Sequence, residues 1–502
     1  MLSSPIEFLA ASREQVDQEM KRVSDMLWKS CRWHAVFPVV WLMTGSLALA
    51  QPTAVPNLKM GTAAVEITPR LGTPMAGYYS PRGAEGVHDP LMAKVMVLDD
   101  GSSKLALVSL DIIKTSPQLV ADARELIAKR SGIPPEAVMI AATHSHTGPV
   151  IITGSKREDD FGGTSSQALE FLDKLPEWIA QAVDEADKQT EAVALSTTTG
   201  RCEGVAFNRR FHMRDGTVRW NAGKLNPLIV RPAGPVDEDL PIMLFAGADG
   251  NRKAALINYS IHLDTVGGTQ ISADVPGDLS RLLQETVAPD FFTLYMTACC
   301  GDVNHIDVSR GGKQKGHAEA ARIATIMASA TLKSLEQTSP VSSTRLSHAS
   351  RRVQLPSYPV SEDEIAAANE VLERQRSGAT PKPAFRELVT AYRALDVVQN
   401  RHEPWEVEVQ VFAIGNQAAI VSLPGEIFVE LGLSIRQGSP FPLTAVAELA
   451  NGSIGYIPNR IAYAQGEYEV LSARCAEGSG EILVDAALEM LRTLYRNEED
   501  QR

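Results

Sequence analysis

"MIAATHSHTG", residues Met139 to Gly148, runs from an apolar stretch into two histidines one residue apart, and a Thr-Gly-Pro turn follows directly. Read with the preceding Ala137 and Val138, the apolar run is a β-strand. Side chains two apart on a strand point to the same face, so His144 and His146 look into one space at its end. Strand ends are where open α/β sheets hold ligands. The stretch alone leaves two readings open: an ordinary strand end with a polar lip, or part of a metal site.

Outward from this strand, the pattern alternates. "GTAAVEITP" reads as a strand ending at Pro69, and "MAKVMVLDDG" and "KLALVSLDI" as two strands joined by a turn. "SPQLVADARELIAKRSG" has helical spacing, a Ser-Pro start and a Gly stop. "SSQALEFLDKLPEWIAQAVDEADKQ", "PGDLSRLLQETV" and "KGHAEAARIATIMASATLKSL" read as further helices, "KAALINYSIHLDT" and "FFTLYMTACCGDVNH" as further strands. "EVEVQVFAIGNQAAIVSLPGE" is a strand, a Gly-Asn turn and a second strand. Residues 360–395 read as a polar, helical surface excursion. No repeat and no linker divides the chain. Strands alternating with helices give an α/β catalytic unit built on a mixed β-sheet with flanking helices.

The chain has 502 residues, 44% hydrophobic and 22% charged, ordinary for a globular protein. Its net charge of -13 argues against nucleic acid and an anionic lipid surface as partners. The segment "MLWKSCRWHAVFPVVWLMTGSLALAQ", from Met26, carries Lys29 and Arg32, an apolar run to Ala50 and a small-residue cleavage pattern before Gln51. Residues 1–50 therefore read as a leader, with a signal peptide over 26–50, and the mature chain as 51–502. The polar stretch ahead of Met26 is unusual for a signal peptide and points to a start at Met20 or Met26. Export would permit disulfides, and a Cys202–Cys475 or Cys299–Cys475 bridge stays open; the spacing forms no dense framework.

Other strands also run into chemically capable residues. His262 ends "NYSIH", Glu426 follows Pro-Gly in "SLPGE", and Tyr456 lies in "NGSIGYIPN". Each has a bland reading: a buried strand-end histidine, a carboxylate facing a helix dipole, a packing tyrosine. Together, two imidazoles, a carboxylate and a phenol make a donor set that suits Zn²⁺. The helical H-E-x-x-H signal is absent.

Over roughly residues 58–490 the chain resembles the neutral/alkaline non-lysosomal ceramidases. The resemblance rests on "GTAAVEITP", "GAEGVHDPLMAKVMVLDD", "VSLD", "AATHSHTGP", "NYSIHLDT", "CGDVNH", "PGE" and "NGSIGYIPNRIAYAQGEYE". It implies a metallohydrolase fold and an exported, periplasmic or extracellular zinc amidohydrolase. Such an enzyme cleaves the N-acyl amide of ceramide, or of a related small or lipid substrate, by attack of zinc-bound water. The resemblance implies His144, His262, Glu426 and Tyr456 as zinc ligands. It implies His146, Arg209 in "FNRRF" and Tyr468 in "GEYE" as substrate-facing catalytic residues. His146 is then the group that protonates the leaving amine, as an imidazole titrating near working pH.

Two departures bear on substrate. The family's G-D-V-S-P-N becomes Gly301-Asp302-Val303-Asn304-His305, so Asn304 replaces an active-site serine; an amide donates a hydrogen bond but is no nucleophile. The family's C-terminal β-sandwich domain is expected to be absent, the sequence ending at Arg502. Peripheral membrane contact is compatible with a lipid substrate. Hydrolysis of another linkage, such as an ester, and a non-catalytic binding protein retaining the fold are the alternatives.

Overall fold

The computed structural model describes residues 57–500; the leader and the expectations placed on it lie outside them. Nine strands form the main sheet. From one edge the order is Phe292–Thr297, Arg252–Tyr259, Asp239–Gly247, Glu191–Arg201, Lys59–Glu66, Met92–Asp99, Lys104–Leu110 and Val138–Ala142, with Ser339–Pro340 also pairing Glu191–Arg201. Both outermost pairs are parallel and the inner pairs antiparallel. This is the mixed sheet the sequence predicts.

Alternation along the strands sets the layers. Ile242 and Leu244 point toward helices Val275–Thr286 and His317–Ser334, burying against Leu279, Leu283, Ile323 and Met327. Met243 and Phe245 point the other way, into a core shared with Phe412, Ile420 and Ala445. Those residues belong to a second sheet of Leu346–Leu355, Trp405–Ile414, Ala418–Ser422 and Leu443–Ala447. Helices Val429–Gly438 and Ser479–Glu499 pack against that sheet through Leu431, Ile435, Leu483 and Leu491.

Local chemistry explains most boundaries. The helix Pro117–Ser131 starts where Ser116 accepts a hydrogen bond from the Leu119 amide, and ends at Gly132 in a left-handed conformation, with Lys129 and Arg130 in its last turn. The hairpin between Ile414 and Ala418 turns at Gly415, φ +54°. One expectation changes: residues 360–395 fold as two helices, Glu362–Ser377 and Phe385–Gln399, and the second is no surface excursion. Leu388, Val389, Ala391, Tyr392, Val397 and the charged Arg393 and Asp396 are buried, because this helix forms one wall of a cleft. Neither proposed disulfide forms: Cys202, Cys299, Cys300 and Cys475 are free and buried.

The two sheets are stitched together where the main-sheet edge strand ends. Ala141 bridges Ala450, the Asn451 amide donates to the Ile140 carbonyl at 2.8 Å, and the Asn451 carboxamide oxygen accepts from the Ile140 amide at 3.0 Å. The Asn451 carboxamide NH₂ in turn donates to Gln410 at 2.8 Å. The histidine pair and the Tyr456 turn are therefore held against each other by backbone.

Candidate metal centre

His144 leaves the strand Val138–Ala142 with φ +76°, a conformation that costs a non-glycine residue on the order of 1–3 kcal/mol. The surroundings hold it there. Its amide donates to the Ile112 carbonyl at 2.9 Å and its Nδ1 to the Ile113 carbonyl at 2.7 Å. With the Nδ1 proton fixed on that carbonyl, Nε2 is the atom that faces inward, to take either a proton shared with Glu426 or a metal ion. His262 follows the strand Arg252–Tyr259 and brings its Nε2 to 3.0 Å from the Nε2 of His144. The Nε2 of His146 lies 3.3 Å from the same atom. All three imidazoles are buried.

Glu426 completes the group, its Oε2 3.5 Å from His144 Nε2. It follows Pro424-Gly425 and pairs in parallel with Tyr456, whose hydroxyl bonds its carboxylate. Close approach of a neighbouring loop depends on Gly301, where a Cβ would stand 2.5 Å from the Glu426 carbonyl oxygen. Behind Glu426, the buried Glu448 carboxylate accepts from the amides of Ile427 (2.7 Å) and Cys300 (3.1 Å) and from the Cys300 thiol (2.9 Å). Burial pushes its pKa up to about 8.

Charge follows from burial and neighbours. For His144, burial opposes protonation, but the hydrogen bond and charge of Glu426 outweigh it and raise the pKa. Burial and then His144 push His262 well down and His146 to about 3. Glu426 is held well below the ordinary carboxylate range: burial opposes this, and His144, His262 and the Tyr456 hydroxyl outweigh it. His146 is therefore a neutral imidazole at neutral pH, which corrects the expectation that it titrates near working pH; burial is the cause.

Do these groups fit a metal? Ligands about 2.0–2.1 Å from a tetrahedral ion stand about 3.3 Å apart, and the nitrogen pairs at 3.0 and 3.3 Å match that spacing. The imidazoles of His144 and His262, the ionised Glu426 carboxylate and the Tyr456 hydroxyl form a hard-to-borderline N/O donor set, with the neutral His146 imidazole beside it. His144, His262, Glu426 and Tyr456 thus come together, and His146 joins them.

The remaining predicted site residues divide. Tyr468 lines the cleft, its ring 5.3 Å from that of Tyr456. Arg209 meets the site through its tyrosines: its guanidinium lies 6.0 Å from the Tyr468 ring centroid and donates to the Tyr456 hydroxyl (3.0 Å), the Gly301 carbonyl (2.7 Å) and the fully buried Glu469 (2.9 Å). Asn304 is buried in the adjoining loop, accepting from the Ile306 amide at 3.0 Å and donating to Asn221 at 3.3 Å, and does not line the cleft.

No family model matches the sequence. Solved structures do match the fold. Neutral ceramidase from Pseudomonas aeruginosa superposes with a TM-score of 0.68 at 17% identity, over 88% of this chain and 75% of that one. A ceramidase complexed with C2 gives 0.67 at 17% identity, with the same coverage. The chain has the fold of neutral ceramidase. On this neutral ceramidase fold the histidine cluster opens into a cleft of roughly 690 Å³ including its mouth. Sequence reasoning missed several of its parts. Gly77, φ +101°, lets the chain pass His146, since a Cβ there would sit 2.7 Å from the His146 Nδ1. Glu469 adjoins Tyr468 in the "GEYE" stretch and could have been read as the partner of Arg209. Arg157, on the short helix Lys156–Asp160, and Asp396, on the polar helix Phe385–Gln399, carried no signal at all.

Proposed function

We infer that this chain is a zinc-dependent amidohydrolase of the neutral ceramidase type, cleaving an N-acyl amide. The observation that carries the reading is the clustering of three imidazole nitrogens, all within 4.8 Å of one another, beside Glu426 and Tyr456 at a cleft. The Pseudomonas structure of this fold is named for ceramide hydrolysis, which supports the same substrate linkage.

His144, His262, Glu426 and Tyr456 would hold the ion. Bound there, zinc supplies Lewis acidity, polarising a carbonyl and making water acidic near neutral pH. His146 lines the cleft, its Nδ1 buried against Gly77 without a hydrogen-bond partner. As a neutral imidazole it takes a proton from the attacking water and returns it to the departing amine, which cannot leave as an anion. The Tyr468 hydroxyl, on the cleft wall, donates to the carbonyl oxygen as negative charge grows on it. Arg209 orients Tyr456 rather than touching substrate, and Asn304 fixes the loop after Gly301.

Residues 51–502 would form the catalytic unit and residues 26–50 an export signal, placing the enzyme in the periplasm or outside the cell. Among the described residues no helix is long and apolar enough to cross a membrane. The test is to express residues 51–502, measure bound metal by mass spectrometry, and assay N-acyl sphingosines and simpler N-acyl amides. One zinc per chain and turnover abolished by His144→Ala are expected. Protein that binds no divalent ion would remove the reading.

A further inference from the structure

The cleft walls are unlike those a two-chain lipid needs. Only Ile113 and Val389 among the lining residues are aliphatic, whereas Lys114, Arg157, Arg393 and Arg474 all present cations to the space. Three of these are neutralised. Lys114 pairs with Glu158. Arg474 pairs with Asp396 at 2.7 Å, and Arg393 with Glu364 at 3.2 Å while lying over the Tyr358 ring.

Arg157 differs. Among the described residues it has no carboxylate within ion-pair distance; Glu158 beside it is committed to Lys114 and to the amides of Thr153, Gly154 and Ser155. Its guanidinium lies 4.8 Å from the Tyr79 ring centroid. Tyr79 in turn stands 6.5 Å from Tyr468, and the charged neighbours of the Tyr468 hydroxyl include both Glu426 and Arg157. One tyrosine thus separates this guanidinium, which has no ion pair among the described residues, from the proposed metal ligands. Arg157 is half-buried at the cleft, held by the Tyr79 hydroxyl and by the more distant charge of Glu158 but by no ion pair, and a guanidinium fork matches a carboxylate in geometry and charge.

We propose that Arg157 is a specificity-determining residue that binds the carboxylate of an N-acyl amino acid, so that the substrate of this cleft is an anionic amide rather than a neutral ceramide. The inference rests on the amidohydrolase reading for its chemistry, but not for its binding. An N-acyl amino acid carries its carboxylate two bonds from the amide nitrogen, which suits a guanidinium one side chain away from the reacting carbonyl.

The experiment compares N-octanoylglycine with N-ethyloctanamide, which differ by the carboxylate alone, on the full chain loaded with zinc. Calorimetry reads binding and a liberated-amine assay reads turnover. The expected result is roughly tenfold or more tighter binding of N-octanoylglycine, a preference lost in Arg157→Gln and partly kept in Arg157→Lys. Equal binding of the two compounds by the unaltered chain overturns the proposal, and so does a preference that survives Arg157→Gln. The unaltered chain decides the point even where a variant does not fold. An Arg157-dependent preference without cleavage of either compound upholds the anion site and defeats the hydrolase reading; cleavage of both with equal affinity does the reverse.

Discussion

His146 shows how much of the site rests on single atoms. Its Nδ1 is buried without a partner and its Nε2 lies 3.3 Å from that of His144, so its position relative to the cleft is set by packing, above all by Gly77. Gly77→Ala is expected to lower kcat/KM about a hundredfold through displacement of the ring, with the histidine cluster still binding zinc; intact metal content beside lost turnover checks it. His146→Ala is expected to abolish amide cleavage while an activated ester, whose leaving group needs no proton, retains a measurable rate; parallel assays of the two linkages read the difference. That His144, His262 and Glu426 would meet was legible because each ends or follows an apolar strand with a distinctive neighbour, as in "THSHTGP" and "PGE", whereas Tyr468, at the start of a short helix, was legible only through the resemblance. Arg209 was legible as a site residue but not in its direction. Whether an arginine faces a cleft or props a tyrosine depends on Glu469 and Gly301, which meet it only in three dimensions.

At the scale of elements, the helix Phe385–Gln399 is the part the sequence concealed. Its polar composition reads as a solvated face, yet Asp396 accepts from Ser155 Oγ (2.8 Å), the Lys156 amide (3.0 Å) and Arg474 (2.8 Å), pinning the helix across the cleft. Asp396→Ala should destabilise the fold by about 3–5 kcal/mol, because it strands Arg474 without its counter-charge; chemical denaturation measures this, and a raised KM would accompany it. Strands and helices elsewhere were legible, since their apolar periods and caps agree with their packing. The loop bearing Glu426 has its own titrating anchor. Glu448 is held near pKa 8 in the fold against about 4.3 in an unfolded chain. Between these values the folded state binds the extra proton, so stability falls as pH rises from about 4.3 to 8, by roughly 2–5 kcal/mol in total. Glu448→Gln should flatten that decline in urea titrations taken across pH 5 to 8.

For the whole molecule, the metal is expected to act as a clamp. Zinc at a thousandfold excess over its Kd would add about 4 kcal/mol to stability, so chelation should lower Tm and adding zinc back should restore it; calorimetry with and without chelator checks the point. The layered architecture was legible in its class and not in its sheet order, because nothing local reveals that Leu449–Asn451 will lie along Ile140–Ala142. That stitch has a temporal meaning. His144 and Tyr456 lie 312 positions apart along the chain, and the surface that orients one is built from the segment carrying the other. During synthesis the chain must therefore leave the ribosome as far as Tyr456 before the His144 cluster can be assembled, so a product terminated ahead of that turn would lack the proposed site from birth.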